Sequence, residues 1–258
     1  MLKKFITAVT TAFAVTALSL CVSADAADLS SLDRTSHGYG QGKEVDGNNR
    51  PTGAEMFNDE LGQYGCYAML DDNGEIYLTF DQGYENGYTT PILDTLKEKN
   101  VKAVFFLTGD YAERNKDLVQ RMIDEGHIIG NHGMKHASLP TLSVEEAKKE
   151  IMSLHNFVKE KFNYEMTYFR PPCGEYSEQS MAVCNELGYK TLLWSFAYQD
   201  WDVNNQPDPS AAFEKVTKAA HGGGIFLLHS VSSTNAEILG RVIDNLREQG
   251  YTLTTPAV

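Results

Sequence analysis

The chain has 258 residues, 42 % of them hydrophobic and 22 % charged, with a formal net charge of −13 at pH 7. That composition and length suit one large α/β domain or two small ones and exclude a disordered chain. The acidic balance lacks the basic footprint that nucleic-acid binding requires.

Residues 1–26 read as a secretion signal. Lys3 and Lys4 open it, Phe5 to Val22 is apolar with interspersed threonines, and Ala24-Asp25-Ala26 is an A-x-A cleavage site. The competing reading is a retained membrane anchor, although the span is at the short end for crossing a bilayer. A lipoprotein signal would need a small residue before Cys21, where Leu20 stands. Cleavage after Ala26 would remove two lysines and one aspartate and leave the chain more acidic still. Residues 27–65 are polar and glycine-rich, as in His37-Gly-Tyr-Gly-Gln-Gly42, and are expected to form an irregular arm too poor in apolar residues for its own core.

Beyond the arm, apolar runs alternate with amphipathic ones. The runs at 75–80, 102–107, 127–130, 166–170, 189–196, 224–228 and 251–254 predict strands buried on both faces. The segments 90–99, 112–125, 143–161, 178–187, 210–220 and 235–248 predict helices. The clearest is 143–161, where Ser143 and Glu146 form a capping box and Ala147, Ile151, Leu154 and Val158 share a face. Repeated strand–helix units predict a parallel sheet with right-handed crossovers. The expected fold is α/β, a single distorted or incomplete (β/α) barrel; the competing architecture is an open doubly wound sheet. No Gly-x-Gly-x-x-Gly follows the first strand, so a dinucleotide site has no support. Cys66, Cys173 and Cys184 would remain after cleavage, an odd count without a disulfide framework or zinc-finger spacing.

Polar clusters follow five of the strands. Asp81 follows Glu75–Phe80, His132 and His136 follow 127–130, and Arg170 follows Thr167-Tyr-Phe169. Asp200 and Trp201 follow 192–196, and His229 follows Gly224–Leu228. Side chains at the C-terminal ends of barrel strands converge on one mouth. Taken singly, each has a plain alternative: Asp81 a turn cap, Arg170-Pro-Pro-Cys-Gly174 a rigid turn, Asp200-Trp201 a loop anchor, His229 a hydrogen-bonded core histidine. His132 and His136, four residues apart, would present both rings on one side if the segment turned helically, a spacing suited to one metal ion. An arginine at a strand end is costly to bury unpaired, and Asp81 is its natural partner. His37, His127, His155 and His221 lack such pairing and are expected to be structural or exposed.

Together these motifs resemble the polysaccharide deacetylase family, also called the NodB-homology domain or carbohydrate esterase family 4, over residues 66–258. Thr79-Phe-Asp81-Gln-Gly83 resembles its T-F-D-D-G, and His132 to His136 its H-x-x-x-H. Arg170-Pro-Pro-Cys-Gly174 is similar to R-x-P-x-G, Asp200-Trp201 to the end of D-x-x-D-W, and Leu227-Leu-His229 to L-x-H. Segments 76–88 and 229–237 most resemble the delta-lactam-biosynthetic de-N-acetylases of spore-forming bacteria.

The resemblance implies roles. Asp81 would be the general base and His229 the general acid, with Arg170 orienting Asp81 and Asp200 tuning His229. His132 and His136 would hold a divalent metal, zinc or similar. The Cys173 backbone N–H would help bind the oxyanion, and Trp201 and Leu227 would line the acetyl pocket. Two departures stand out: Gln82 replaces an aspartate that normally binds metal, and Ala197 replaces the first aspartate of D-x-x-D-W. A neutral amide is a weaker ligand, so the metal would be weakly held or dispensable; the resembling subgroup also carries an amide at that position. The expected activity is peptidoglycan N-deacetylation at N-acetylmuramic acid, leading to muramic delta-lactam. The alternatives are N-acetylglucosamine or another acetylated polysaccharide, and a non-catalytic glycan-binding module. The expected partner is the peptidoglycan glycan strand, with no nucleic acid and no protein partner inferred. The expected location is secreted or cell-wall associated, or membrane-anchored through an uncleaved signal.

Overall fold

The computed structural model describes residues 28–258, so the expected signal segment lies outside the described residues. In chain order the elements are β1 (His37–Gly38), α1 (Thr52–Leu61), β2 (Cys66–Tyr67), β3 (Glu75–Gln82), α2 (Thr89–Glu98), β4 (Val104–Leu107), α3 (Gly109–Arg114), α4 (Lys116–Asp124) and β5 (Ile128–Asn131). There follow α5 (Val144–Phe162), β6 (Tyr168–Phe169), β7 (Glu175–Tyr176), α6 (Glu178–Glu186), β8 (Lys190–Leu192), β9 (Phe196–Ala197), α7 (Pro209–Lys218), β10 (Gly224–His229), α8 (Ser233–Glu248) and β11 (Thr252–Thr254).

One sheet runs in the order β2-β8-β6-β5-β4-β3-β10-β9, with every neighbouring pair parallel. β11 lies beside the first half of β3. The expected strand 189–196 is two strands, and the split closes the fold. β8 pairs with β2 and β6 near one end of the order, and residues 193–195 carry the chain across to β9, which pairs with β10 at the other end. Two bonds pin this bridge: Leu193 N–H donates to the Tyr67 carbonyl at 2.8 Å and Ser195 N–H to that of Ile225 at 2.9 Å. The sheet is therefore a curled, incomplete barrel rather than an open doubly wound sheet.

Successive strand residues face opposite sides, and the core separates accordingly. Ile76, Leu78, Phe80, Phe226 and Leu228 point outward into the main core shared with the helices. Tyr77, Val104, Phe106, Tyr168, Leu192 and Ile225 form a second cluster inside the barrel. Thr79 and Asp81 continue the inward column above Tyr77, and Leu227 and His229 continue that above Ile225. Asp81 and His229 are register partners on adjacent strands.

Two further expectations need correction. The expected helix 112–125 breaks at Asn115, whose backbone (φ −118, ψ 43) leaves the helical region while its side-chain amide donates to the Tyr111 carbonyl at 3.1 Å. The arm is not irregular throughout. Residues 52–61 form α1, whose Ala54, Phe57 and Leu61 share one buried face, and β1 pairs antiparallel with β7. Ser143 caps α5 with the expected capping box.

Candidate active site

Arg170 is fully buried at the end of β6, and all three guanidinium nitrogens are engaged. Nη1 donates to Asp81 Oδ1 at 2.8 Å and to Thr79 Oγ1 at 2.9 Å. Nε and Nη2 donate to the Leu192 and Leu193 carbonyls, each at 2.9 Å. The guanidinium also lies 4.2 Å from the centre of the Phe106 ring. Phe106 has room inside the barrel because its register partner on β5 is Gly130, where a Cβ would come within 2.4 Å of the ring. Burial opposes charge on Asp81, but Arg170, then His132 and His229, outweigh it and hold the carboxyl below its ordinary range.

His229 ends β10, and its Nδ1 lies 2.7 Å from Oδ1 of the fully buried Asp200. The His229 backbone N–H donates to Asp200 Oδ2 at 2.8 Å, so one carboxylate holds both the ring and the chain. Burial lowers the imidazole pKa, but Asp200 more than compensates and raises it above its ordinary value. The site therefore favours an ionised Asp81 beside a protonated His229, the pairing that divides base and acid roles between two groups.

His132 and His136 face each other Nε2 to Nε2 at 3.2 Å. The segment is a tight turn, not the helical turn considered from sequence: Gly133 and His136 both have positive φ, 84° and 57°. Buried Glu150 of α5 secures it, its carboxylate accepting from Lys135 N–H at 2.6 Å and Ala137 N–H at 3.3 Å. His132 Nδ1 lies 2.8 Å from the Arg170 carbonyl, and Asp81 Oδ2 lies 3.5 Å from its Nε2. Burial pushes His132 down to about 4, so its ring is neutral, the form that binds metal.

Asp81, His132, His136, Cys173, Trp201, Leu227 and His229 all line one cavity of about 540 Å³, with Arg170 and Asp200 bonded to its walls from behind. Every residue selected from sequence thus reaches one place. The chemistry available there is hydrolysis of a neutral bond: an ionised carboxylate to take a proton from water and an imidazolium to give one to a leaving group. Cys173 sits in the left-handed region (φ 57) of the turn, which sets its backbone apart from the regular strands nearby.

The sequence profile of polysaccharide deacetylases matches residues 71–192. The peptidoglycan-N-acetylmuramic acid deacetylase PdaA of Bacillus subtilis is 41 % identical over 204 residues, 78 % of each chain. The solved structure of Bacillus subtilis PdaA, a family 4 carbohydrate esterase, superposes with a TM-score of 0.82 at 38 % identity, covering 87 % of this chain and 96 % of that one. This chain belongs to the polysaccharide deacetylase family. A further member, the peptidoglycan-N-acetylglucosamine deacetylase PgdA of Listeria monocytogenes, is 36 % identical over 71 % of this chain and 38 % of its own. As a member of carbohydrate esterase family 4, the protein is a hydrolase of N-acetyl amide bonds.

Deacetylases of this family are generally metal-dependent, and the donor set here fits that expectation only in part. The facing imidazoles of His132 and His136 suit two positions on a divalent cation. Gln82 does not supply a third: its amide nitrogen is hydrogen-bonded to Ser230 Oγ, and its buried Oε1 has no partner among the described residues. Among the described residues no group of three or more His, Cys, Asp or Glu side chains is arranged to hold a metal.

Sequence reasoning missed several wall residues. Trp194 and Tyr198 line the cavity; Trp194 belongs to the bridge that the apolar run 189–196 concealed, and Tyr198 follows directly on β9. Trp194 is braced by the arm: its indole N–H donates to Gln41 Oε1 at 3.0 Å, and its carbonyl accepts from Tyr39 O–H at 2.6 Å. Gly174 leaves space for the same indole, since a Cβ there would lie 2.7 Å from it. The other histidines serve structure as expected: His221 lies 2.8 Å from Ser195 Oγ, His155 lies 2.6 Å from Tyr189 O–H, His127 accepts from Ala103 N–H, and His37 is exposed.

Proposed function

We propose that this protein is a peptidoglycan N-deacetylase that removes the acetyl group of N-acetylmuramic acid by general acid/base hydrolysis. The observation that carries the chemistry is the pair of anchored groups, Asp81 held by Arg170 and His229 held by Asp200, in register on adjacent strands beneath one cavity. Asp81 takes a proton from water as its oxygen attacks the acetyl carbonyl. The resulting oxyanion lies toward the Cys173 backbone N–H, while Trp201 and Leu227 enclose the methyl group. His229 gives its proton to the amide nitrogen, the C–N bond breaks, and acetate and a free amine leave. A divalent cation held by His132 and His136 would act as a Lewis acid, polarising the carbonyl and acidifying water.

The similarity to PdaA, higher and more extensive than that to PgdA, supports muramic acid over glucosamine as the sugar. On a muramic acid whose peptide stem has been cut away, the freed amine and the lactyl carboxylate condense with loss of water to the delta-lactam. The basic start, apolar run and A-x-A site of residues 1–26 support secretion, which would place the enzyme with its substrate outside the membrane. Asp81→Asn and His229→Ala are each expected to lower acetate release by about 10²–10⁴-fold or more, the worth of a positioned proton transfer. Circular dichroism should show both variants folded; wild-type turnover in both would overturn the mechanism.

A further inference from the structure

Asp200 is fully buried and, among the described residues, takes no bond from Lys or Arg; its remaining donor is the side-chain amide of Asn235. Asn235 stands in the first turn of α8 and is itself buried, with its backbone N–H bonded at 3.0 Å to Oγ of the cap residue Ser232. Its Nδ2 donates at 2.5 Å to Asp200 Oδ2 and at 3.1 Å to the His229 carbonyl. Its Oδ1 accepts from the hydroxyl of Tyr198, whose ring lines the catalytic cavity. Both partners of Nδ2 are pure acceptors, so only this orientation of the amide satisfies the cluster. Every side-chain polar group of Asn235 is therefore committed: an aspartate would lack the donors and a leucine would lack everything.

We infer that Asn235 is a positioning residue for the proton donor, clamping the Asp200 carboxylate and the His229 main chain together, and that Tyr198 sets the direction of the clamp from the cavity wall. The inference rests on the reading of His229 as the general acid. Its consequence is geometric. Asp200 Oδ1 can stay in line with His229 Nδ1 only while Oδ2 is held, and among the described residues Oδ2 is held by Asn235 and the His229 N–H alone. A buried carboxylate that loses one of its few donors turns or takes up a proton, and in either case its hold on the imidazole weakens.

The test uses the full-length protein with Asn235→Leu and Tyr198→Phe. Two quantities are read: the His229 titration, by NMR of the imidazole, and kcat and KM for acetate release from peptide-free glycan strands. In Asn235→Leu the His229 midpoint should fall from its raised position toward the ordinary 6.5. Meanwhile kcat should drop about tenfold or more with KM nearly unchanged, as expected for losing a hydrogen bond to a charged group. Tyr198→Phe keeps the ring and the packing and should move both quantities the same way by a smaller factor, so it carries the test even where the leucine variant folds poorly. The other titratable groups that face His229 are Asp81, Arg170 and His136, and neither substitution touches them. A purely structural Asn235 would lower thermal stability and leave the His229 midpoint in place; an unmoved midpoint in the folded variants overturns the inference. A midpoint that moves while turnover stays at the wild-type level upholds the clamp and overturns His229 as the acid.

Discussion

The ion pair between Arg170 and Asp81 satisfies two opposed demands on one carboxylate. Asp81 must stay ionised although nearly buried, and it must remain open to the cavity on one side. Arg170 meets both by bonding Oδ1 alone. Removing either member of a buried pair leaves the other uncompensated, at a typical cost of about 3–5 kcal/mol. The linked pH dependence of stability has opposite signs for the two reacting groups. The Asp81 pKa is lowered on folding, so its contribution is present above the ordinary 3.8 and is lost as pH falls through the folded value. The His229 pKa is raised, so its contribution is complete below 6.5 and is lost as pH rises through the folded value. In catalysis, the fall of kcat/KM at high pH should therefore follow His229 from a midpoint above 6.5. Asp200→Asn removes the larger of the two carboxylate charges that raise it, so that burial outweighs Asp81, and should move that limb below 6.5; an unmoved limb would assign it to another group. Gln82→Asp should strengthen binding of a divalent cation about tenfold or more, as a carboxylate replaces an amide; equal affinities by calorimetry would show that position 82 is not a ligand. The reacting residues were legible in sequence because each stands just after a short apolar strand. Asn235, Tyr198 and Glu150 were not, because a buried polar network is a property of contacts between distant elements and leaves no periodic mark.

At the scale of elements, β3, β4, β5 and β10 determine where the site sits. Gly130 on β5 makes room for Phe106 on β4, and Phe106 carries the guanidinium of Arg170. Gly130→Ala should force the ring aside, lowering stability by about 1–3 kcal/mol as overpacking does, and should lower kcat by disturbing Arg170. Thermal unfolding and steady-state kinetics check this, and an unchanged kcat would mean that the stacking does not position Arg170. Most strands and helices were readable from period and caps, within the few residues by which their ends shifted. The exceptions have physical causes. An apolar run such as 189–196 shows burial but not which neighbours it pairs with, so its division between two edges of the sheet was hidden. Asn115 stops a helix by a local side-chain bond that amphipathic spacing does not register. The buried face of α1 was present as Ala54, Phe57 and Leu61 but diluted by surrounding glycines and polar residues.

For the whole molecule, the barrel is closed and the site shaped by chain outside the regular strand–helix units. Residues 193–195 join the two ends of the sheet, and the arm reaches across to brace Trp194 through Tyr39 and Gln41. The function proposed for this assembly is removal of acetyl groups from muramic acid. The most direct test is mass spectrometry of peptide-free peptidoglycan strands incubated with the protein, with fragmentation to assign each lost acetyl to a sugar. Loss from muramic acid is expected, followed by loss of water where the lactam closes. Loss confined to glucosamine, or no loss from either sugar with folded protein, would contradict it.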